Sequence, residues 1–335
     1  IRTGLTLPGL RFWPLVDVDL VWERPAAVDV TLQRDGGALV EEVTPRTRGR
    51  YSSIRRLFTV RDIFGLAAIR FPRTQRAALR FAPAQGAADV ALALRHASGE
   101  GYAHPAGEPE GDLVEMRRYA PGDPLRMVLW KAYARTRRML VRMPERAIAP
   151  RPSTVAYFVA GPGDEPTASV ARLFLEQGLL GDEFLFAADG ADHPVTLPDE
   201  ALDAVIDSVR ARERGAEGVG HFLRGVDHAQ LGNCVFFVPG ERGPWLDRLL
   251  EATRALPAPP TIVLGIDGAL TPSRTSRAAR VLQAVPPADR SIEALPAVHR
   301  ALAHTGAVVR VVHRSSGRLL TDDELTRVGP AEAAA

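Results

Sequence analysis

Cys234 is the only cysteine, so the chain can form no internal disulfide and no metal site built from several thiolates. Lys131 is the only lysine among 42 basic residues. Nearly every cation is therefore a guanidinium, the group that grips a carboxylate with two parallel bonds. No run reaches the roughly eighteen apolar residues that would cross a bilayer as a helix, and no signal-peptide pattern is present. Catalytic signatures are missing as well. There is no G-x-S-x-G, no H-E-x-x-H and no C-x-x-C. His104 has no ligand partner at a sensible spacing, and His193, His221, His228, His299, His304 and His313 fall into no triad or metal spacing. The 42 basic residues are nearly balanced by 40 acidic ones, a net charge of +2. No global field draws such a chain to nucleic acid or to a membrane. These absences argue against an enzyme and predict no resident cofactor.

At 335 residues, 46% hydrophobic and 24% charged, the chain is long enough for two cores of ordinary composition. Residues 1–95 alternate with period two. Val16, Val18 and Leu20 alternate with Asp17 and Asp19, and Val28, Val30 and Leu32 with Asp29, Thr31 and Gln33. Half-buried strands read this way. Arg34-Asp35-Gly36-Gly37 is a hairpin turn, and Asp62 to Gly65 is another. Ile54–Arg61, Ala67–Phe71 and Ala77–Phe81 continue the pattern. The expectation is a small β-sandwich resembling an immunoglobulin-type module. Residues 96–149 form a linker, rich in glycine, proline and glutamate over Ser98–Gly111, and then a dense arginine-rich stretch.

From about residue 150 the rhythm changes. Val155–Ala160, Phe184–Ala187, Cys234–Val238, Thr261–Ile266 and Ala307–Val312 are short, continuous apolar runs, as in strands buried on both faces. Helical patterns separate them over Thr167–Gln177, Pro198–Arg212, Trp245–Leu256 and Ser291–His304. Strand-helix alternation predicts a doubly wound, mostly parallel sheet over 150–320, followed by a tail over 321–335. Cys234 falls in one of these strands and reads as inert core.

The stretch Arg117–Arg142 is the most distinctive. Ala120-Pro121-Gly122-Asp123 reads as a tight turn, and Asp123-Pro124 as a helix start. Leu125, Val128, Leu129 and Ala132 would form one apolar helical face, flanked by Trp130 and Tyr133, with Met139–Val141 a strand leading out. Three roles fit these residues. Asp123 pairs with Arg126 or Arg135 while Trp130 fills a junction between domains; or the arginines and aromatics form a docking surface; or they bind nucleic acid, for which the near-neutral chain lacks the electrostatic excess.

Arg117, Tyr119, Gly122, Asp123, Arg126, Val128, Trp130, Lys131, Ala134 and Arg135 stand at the spacing R-x-Y-x-x-G-D-x-x-R-x-[IV]-x-W-K-x-x-A-R. On these residues the chain resembles the bacterial family called domain of unknown function 58. Arg46–Leu66 is similar to a second element of that family, R-R-G-x-Y followed by v-r-D-P-F-G-L, with Ile63 in place of the proline. The resemblance implies that the parallel-sheet region is von Willebrand factor A-like. It implies a partner among MoxR-type AAA+ ATPases, often with a transglutaminase-like protein. It also implies that Ile1 follows a membrane hairpin, which would place the chain at the cytoplasmic face of the bacterial cell membrane.

A von Willebrand type A fold usually holds a divalent cation beyond its carboxyl strand ends, using D-x-S-x-S after the first strand. Here the first loop reads Ala160-Gly161-Pro162-Gly163-Asp164-Glu165-Pro166, and the loop after Cys234–Val238 reads Pro239-Gly240-Glu241. The metal site is expected to be degenerate. Asp164, Glu165, Asp189 and Asp267 lie near predicted strand ends and form the alternative, an atypical acidic site for magnesium. Gly161–Pro166 also mimics the start of a phosphate-binding G-x-G-x-x-G loop, but its third glycine is Pro166 and two acids stand where phosphate would come. The expected function is a non-catalytic, membrane-associated adaptor. The alternatives are a cation-dependent adhesion-type domain and a nucleic-acid binder.

Overall fold

The computed structural model describes residues 2–7, 16–35, 38–86, 115–120, 128–143, 153–228, 230–267, 290–321 and 325. The chain divides into two compact units, residues 1–95 with 153–335, and residues 96–152.

The first unit opens with β1 (Arg2–Leu7), β2 (Val16–Arg24), β3 (Val28–Asp35), β4 (Ala38–Pro45), β5 (Gly49–Asp62) and β6 (Ala68–Phe81). They form two three-stranded antiparallel sheets, ordered β1-β4-β3 and β2-β5-β6. Trp22, Val43, Ile54 and Phe81 form a core that both sheets share. A buried ion pair joins the sheets. Glu41 of β4 has no exposed surface, and the Arg56 fork of β5 donates to both its oxygens at 2.8 and 2.7 Å. Trp22 Nε1 donates to the same carboxylate at 2.5 Å, Thr3 does so too, and the Arg56 guanidinium lies 5.3 Å from the Trp22 ring. Burial opposes the charge on Glu41, but these donors hold its carboxyl below the usual range.

In the second unit, β7 (Glu115–Arg118) pairs antiparallel with β8 (Leu140–Met143), and α1 (Trp130–Thr136) precedes β8. The apolar helical face expected from Leu125 to Ala132 is corrected here. Val128 is not helical: it bridges Val141, and both are buried. Leu129 has φ −79° and ψ 83°, outside the helix. A β-branched residue next to a strand gains more from pairing and burial than from a helical turn. The helix ends at Arg137, a left-handed residue (φ 56°) whose N–H bonds Tyr133 O. The turn and helix start predicted around Gly122, Asp123 and Arg126 lie outside the described residues.

The first unit continues through β9 (Thr154–Phe158), α2 (Glu165–Glu176), β10 (Phe184–Ala188), α3 (Pro198–Asp207), α4 (Val219–Gly225), β11 (Cys234–Val238), α5 (Trp245–Thr253), β12 (Thr261–Ile266), α6 (Arg290–Ala303), β13 (Val308–His313) and β14 (Leu319–Leu320). Sheet order is β10-β9-β11-β12-β13-β14, parallel throughout except for the last hairpin pair. Strand side chains alternate between two cores. Ala156, Phe158, Phe186 and Phe237 pack with α2 and α3, while Val155, Tyr157, Phe236 and Leu264 pack with α4, α5 and α6. Continuous apolar strands are the consequence of covering both faces.

The predicted helix over Pro198–Arg212 is corrected: α3 stops at Asp207 and tightens into a 3-10 turn over Ser208–Arg214. Ser208 Oγ and Arg48 Nε both donate to Val205 O, at 2.8 and 2.7 Å, so that carbonyl is satisfied from outside the helix. The short α4 and β14 are additions that the apolar periodicity does not reveal. The start of α2 is locked against β12. Thr167 Oγ1 donates to Val238 O at 2.8 Å and accepts from Gly265 N at 2.9 Å. A Cβ on Gly265 would collide with Pro166 C and Thr167 N, backbone atoms that cannot swing away. Gly265→Ala is therefore expected to destabilise the protein by about 3 kcal/mol or more, read as a shift in the urea midpoint.

Candidate functional site

β9 lies between β10 and β11, so the chain reverses direction across the sheet there, and a crevice forms beyond their carboxyl ends in open α/β sheets. In this protein that crevice is filled by the protein itself. Trp245 is 1% exposed and donates to Glu241 O at 3.1 Å. A Cβ on Gly161 would lie 2.8 Å from Pro239 and 3.2 Å from the Trp245 ring, so the loops after β9 and β11 are already in contact.

Beside that plug, the first-loop acid meets an arginine from the β4–β5 connection. Asp164 and Arg48 are both fully buried. Arg48 Nη1 and Nη2 donate to the two Asp164 oxygens, each at 2.8 Å. Nη1 also reaches Glu165 Oε1 at 3.1 Å, Nη2 reaches Ser208 Oγ at 3.0 Å, and Nε reaches Val205 O at 2.7 Å. All five guanidinium N–H groups are thereby used. The guanidinium also lies 5.1 Å from the Phe158 ring centre. Arg212 approaches Asp164 Oδ1 from the solvent side, with Nε at 2.9 Å and Nη2 at 2.6 Å, and also pairs with Glu165. Gly161 N donates to Asp164 Oδ2 at 3.1 Å. Burial pushes against the charge on Asp164, yet the two arginines hold its carboxyl below the usual range. A divalent cation needs oxygen lone pairs aimed at one point. Those of Asp164 are spent on guanidinium and amide donors, so this residue does not fit a metal.

Asp189, at the end of β10, is 2% exposed and serves a different purpose. Its Oδ1 accepts from the Tyr157 hydroxyl at 2.8 Å, and its Oδ2 accepts from Ala160 N at 2.8 Å and Ala216 N at 2.7 Å. Ala216 has φ 62°, a left-handed conformation held by that bond. Burial raises the Asp189 carboxyl to about 6 despite the donors, and it raises the Tyr157 hydroxyl too, reinforced by the Asp189 charge. Asp267, beyond β12, pairs with Arg314. The three acids expected to share an ion are thus engaged in three separate networks. Among the described residues no group of three or more His, Cys, Asp or Glu side chains is placed to hold a metal. Cys234 is buried and its thiol is pushed up to about 11 by desolvation, the state of an unreactive core sulfur.

In the arginine-rich stretch, Arg117 belongs to β7 and is paired in register with Val141. Tyr119 is half-buried, while Lys131 and Arg135 are exposed. Trp130 keeps 56% of its surface exposed and meets Tyr133 edge-on at 6.3 Å. Gly122, Asp123 and Arg126 lie outside the described residues, as does any pairing of Asp123. No helix among the described residues is long and apolar enough to cross a membrane.

Arg48 and Arg212 are the residues that reading by pattern misses. Arg48 sits inside the Arg46–Leu66 element, but spacing does not say which arginine turns inward. Arg46 pairs with exposed Asp29 and Arg50 with Asp203 at the surface, whereas Arg48 between them is swallowed. No protein-family model, no curated protein and no solved structure matches the chain.

Proposed function

We propose that this protein is a non-catalytic adaptor of the domain of unknown function 58 type. In this reading the paired antiparallel sheets are an immunoglobulin-like sandwich, and the parallel sheet is a von Willebrand factor A-like domain whose metal site is degenerate. The partner is a MoxR-type AAA+ ATPase at the cytoplasmic face of the cell membrane, with a transglutaminase-like protein as a second associate. One observation carries the reading: Arg48 places an internal guanidinium against the first-loop acid, where a fold of this kind would offer carboxylate oxygens to a cation. Binding then relies on shape and on arginine–carboxylate pairing. Exposed Trp130, Lys131 and Arg135 supply side chains enriched at protein interfaces.

Calorimetric titration with magnesium or calcium is expected to give no saturable heat. Saturable binding that disappears in Asp164→Asn would favour the cation-dependent adhesion reading instead. The partner is tested by affinity capture from the source cell with a hydrolysis-dead ATPase and ATP. Co-purification that is lost in Trp130→Ala/Arg135→Glu supports the adaptor. Absence of any AAA+ protein from the captured material rejects it.

A further inference from the structure

Five of the nine large apolar side chains exposed among the described residues belong to one hairpin, β5–β6. Ile63 is 54% exposed, Phe64 71%, Leu66 86% and Ile69 68%, with Phe71 beside them. Isolated exposed apolar residues need no explanation, but a group of this size at one hairpin turn does.

The tip is a built structure. The Asp62 carboxylate accepts from Phe64 N at 2.8 Å, from Leu66 N at 3.3 Å and from Ala67 N. Asp62 and Ala67 also bond through their backbones at 3.1 Å, and Gly65 takes the left-handed conformation (φ 72°) the turn requires. The charge of Asp62 is folded into its own loop, which leaves its carboxyl below the usual range. These bonds fix the backbone of the turn, so little backbone ordering entropy is lost when something receives its side chains.

Behind the tip, polarity changes in steps along the ribbon. On one face of β6 the order is Ile69, Phe71, then Arg73; on the other, Arg70 stands opposite Thr59. At about 3.3 Å per residue, Arg73 lies roughly 13 Å up the strand from Ile69. No ion pair to Arg70, Arg73 or Arg76 is found among the described residues. The nearby acids are already engaged: Asp17 and Asp19 of β2 pair with Arg61 at 2.9 and 3.9 Å. The edge of β6 carries Pro72, which lacks an N–H, so addition of a partner strand is interrupted there. Because Ile63, Phe64 and Leu66 crowd a single turn, they do not form one flat face for a partner helix.

We propose that the β5–β6 tip is a lipid-contacting finger for an anionic bilayer surface. Ile63, Phe64 and Leu66 enter the boundary between headgroups and acyl chains, and Arg70 and Arg73 meet the lipid phosphates. The inference goes beyond the adaptor reading: its test contains no ATPase, so its failure leaves that reading standing, and failure of ATPase capture leaves the finger standing.

The full chain is floated with vesicles of phosphatidylcholine alone and of phosphatidylcholine mixed with phosphatidylglycerol. It is expected to float with the mixed vesicles and less with the neutral ones. Phe64→Ser/Leu66→Ser should reduce binding at least about tenfold, and Arg70→Glu/Arg73→Glu should erase the preference for phosphatidylglycerol and its salt sensitivity. These side chains are exposed, so unchanged thermal midpoints are expected and serve as the folding control. Phe64→Trp adds a local probe, whose emission should shift to the blue and become shielded from an aqueous quencher on mixed vesicles. Failure of the wild-type chain to float with mixed vesicles overturns the proposal. So does binding that is indifferent to Phe64→Ser/Leu66→Ser. An emission that stays unchanged when the Phe64→Trp variant is bound to vesicles also overturns it, and is the result expected if the tip serves a protein pocket instead.

Discussion

Arg48→Met is expected to cost about 3–5 kcal/mol of stability, because it leaves a buried carboxylate without its main counter-charge. The thermal midpoint should fall on the order of 10 °C. Asp164 would keep Arg212 and Gly161 N, but Val205 O and Ser208 Oγ would each lose a buried donor. Arg48→Lys should recover little. An ammonium is a compact charge with three donors, and the five acceptor contacts of Arg48 spread around a planar fork. Arg212→Met is the internal comparison. Its side chain is 27% exposed, water can take over much of its role, and a loss of about 1 kcal/mol or less is expected. Removing both charges in Arg48→Met/Asp164→Leu should be milder than the sum of the single changes, with a coupling of about 2 kcal/mol or more. Chemical denaturation of these variants and of Asp164→Leu alone measures these differences, and an Arg48→Met midpoint equal to that of the wild type would refute the assignment of this pair as the lock on the sheet rim.

Asp189→Ala is the second large effect, expected to cost about 3–6 kcal/mol, since Ala160 N, Ala216 N and the Tyr157 hydroxyl would all be left buried without an acceptor. Asp189→Asn should be far gentler at neutral pH. Its oxygen can still accept from Ala160 and Ala216, and its amide can donate to the Tyr157 oxygen. The pH dependence separates the two effects. The folded-state carboxyl of Asp189 is raised to about 6 from an ordinary 3.8. The folded protein therefore holds this proton more tightly than the unfolded chain does. Its contribution is fully present below the unfolded value, and it is lost as pH rises through the folded one. Between these limits the wild type should lose about 3 kcal/mol relative to Asp189→Asn. Asp164 and Glu41, both shifted downward, contribute in the opposite sense: their stability is lost as pH falls toward and below the ordinary carboxylate range. The difference between wild type and Asp189→Asn across pH 4 to 7, followed by urea midpoints, removes that background. A difference independent of pH would contradict a raised carboxyl at Asp189.

The parallel sheet is legible because burial on both faces leaves a one-dimensional trace. Cys234–Val238 and Thr261–Ile266 are strands with the bounds their apolar runs predict. The alternation of Val16, Val18 and Leu20 with Asp17 and Asp19 likewise marks β2 as a strand with one covered face. Where an element is defined by one contact rather than a repeat, the trace vanishes. Val128 and Leu129 fit a helical period, yet Val141 draws Val128 into a bridge. Pro198–Arg212 reads as one helix, yet Arg48, remote in sequence, takes Val205 O where α3 gives way to a 3-10 turn.

The candidate site shows the same division. Asp164, Asp189 and Asp267 can be picked out as acids near strand ends, because strands and their exits are local features. Their partners are not local. Asp164 is matched by a residue 116 positions earlier and Asp189 by a tyrosine 32 positions earlier. Nor does composition reveal the finger at Ile63 to Leu66, since Ile54 and Phe58 of the preceding strand β5 are buried.

What the amino-acid order determined alone is the alternation of strand and helix and the covered faces, both of which follow from solvation and backbone preference acting residue by residue. What only tertiary structure decided is which arginine becomes internal, which acid stays charged and which apolar turn is left facing outward. Those outcomes depend on distances between segments far apart in the chain, and the balance between desolvation and pairing is struck only once the sheets have met.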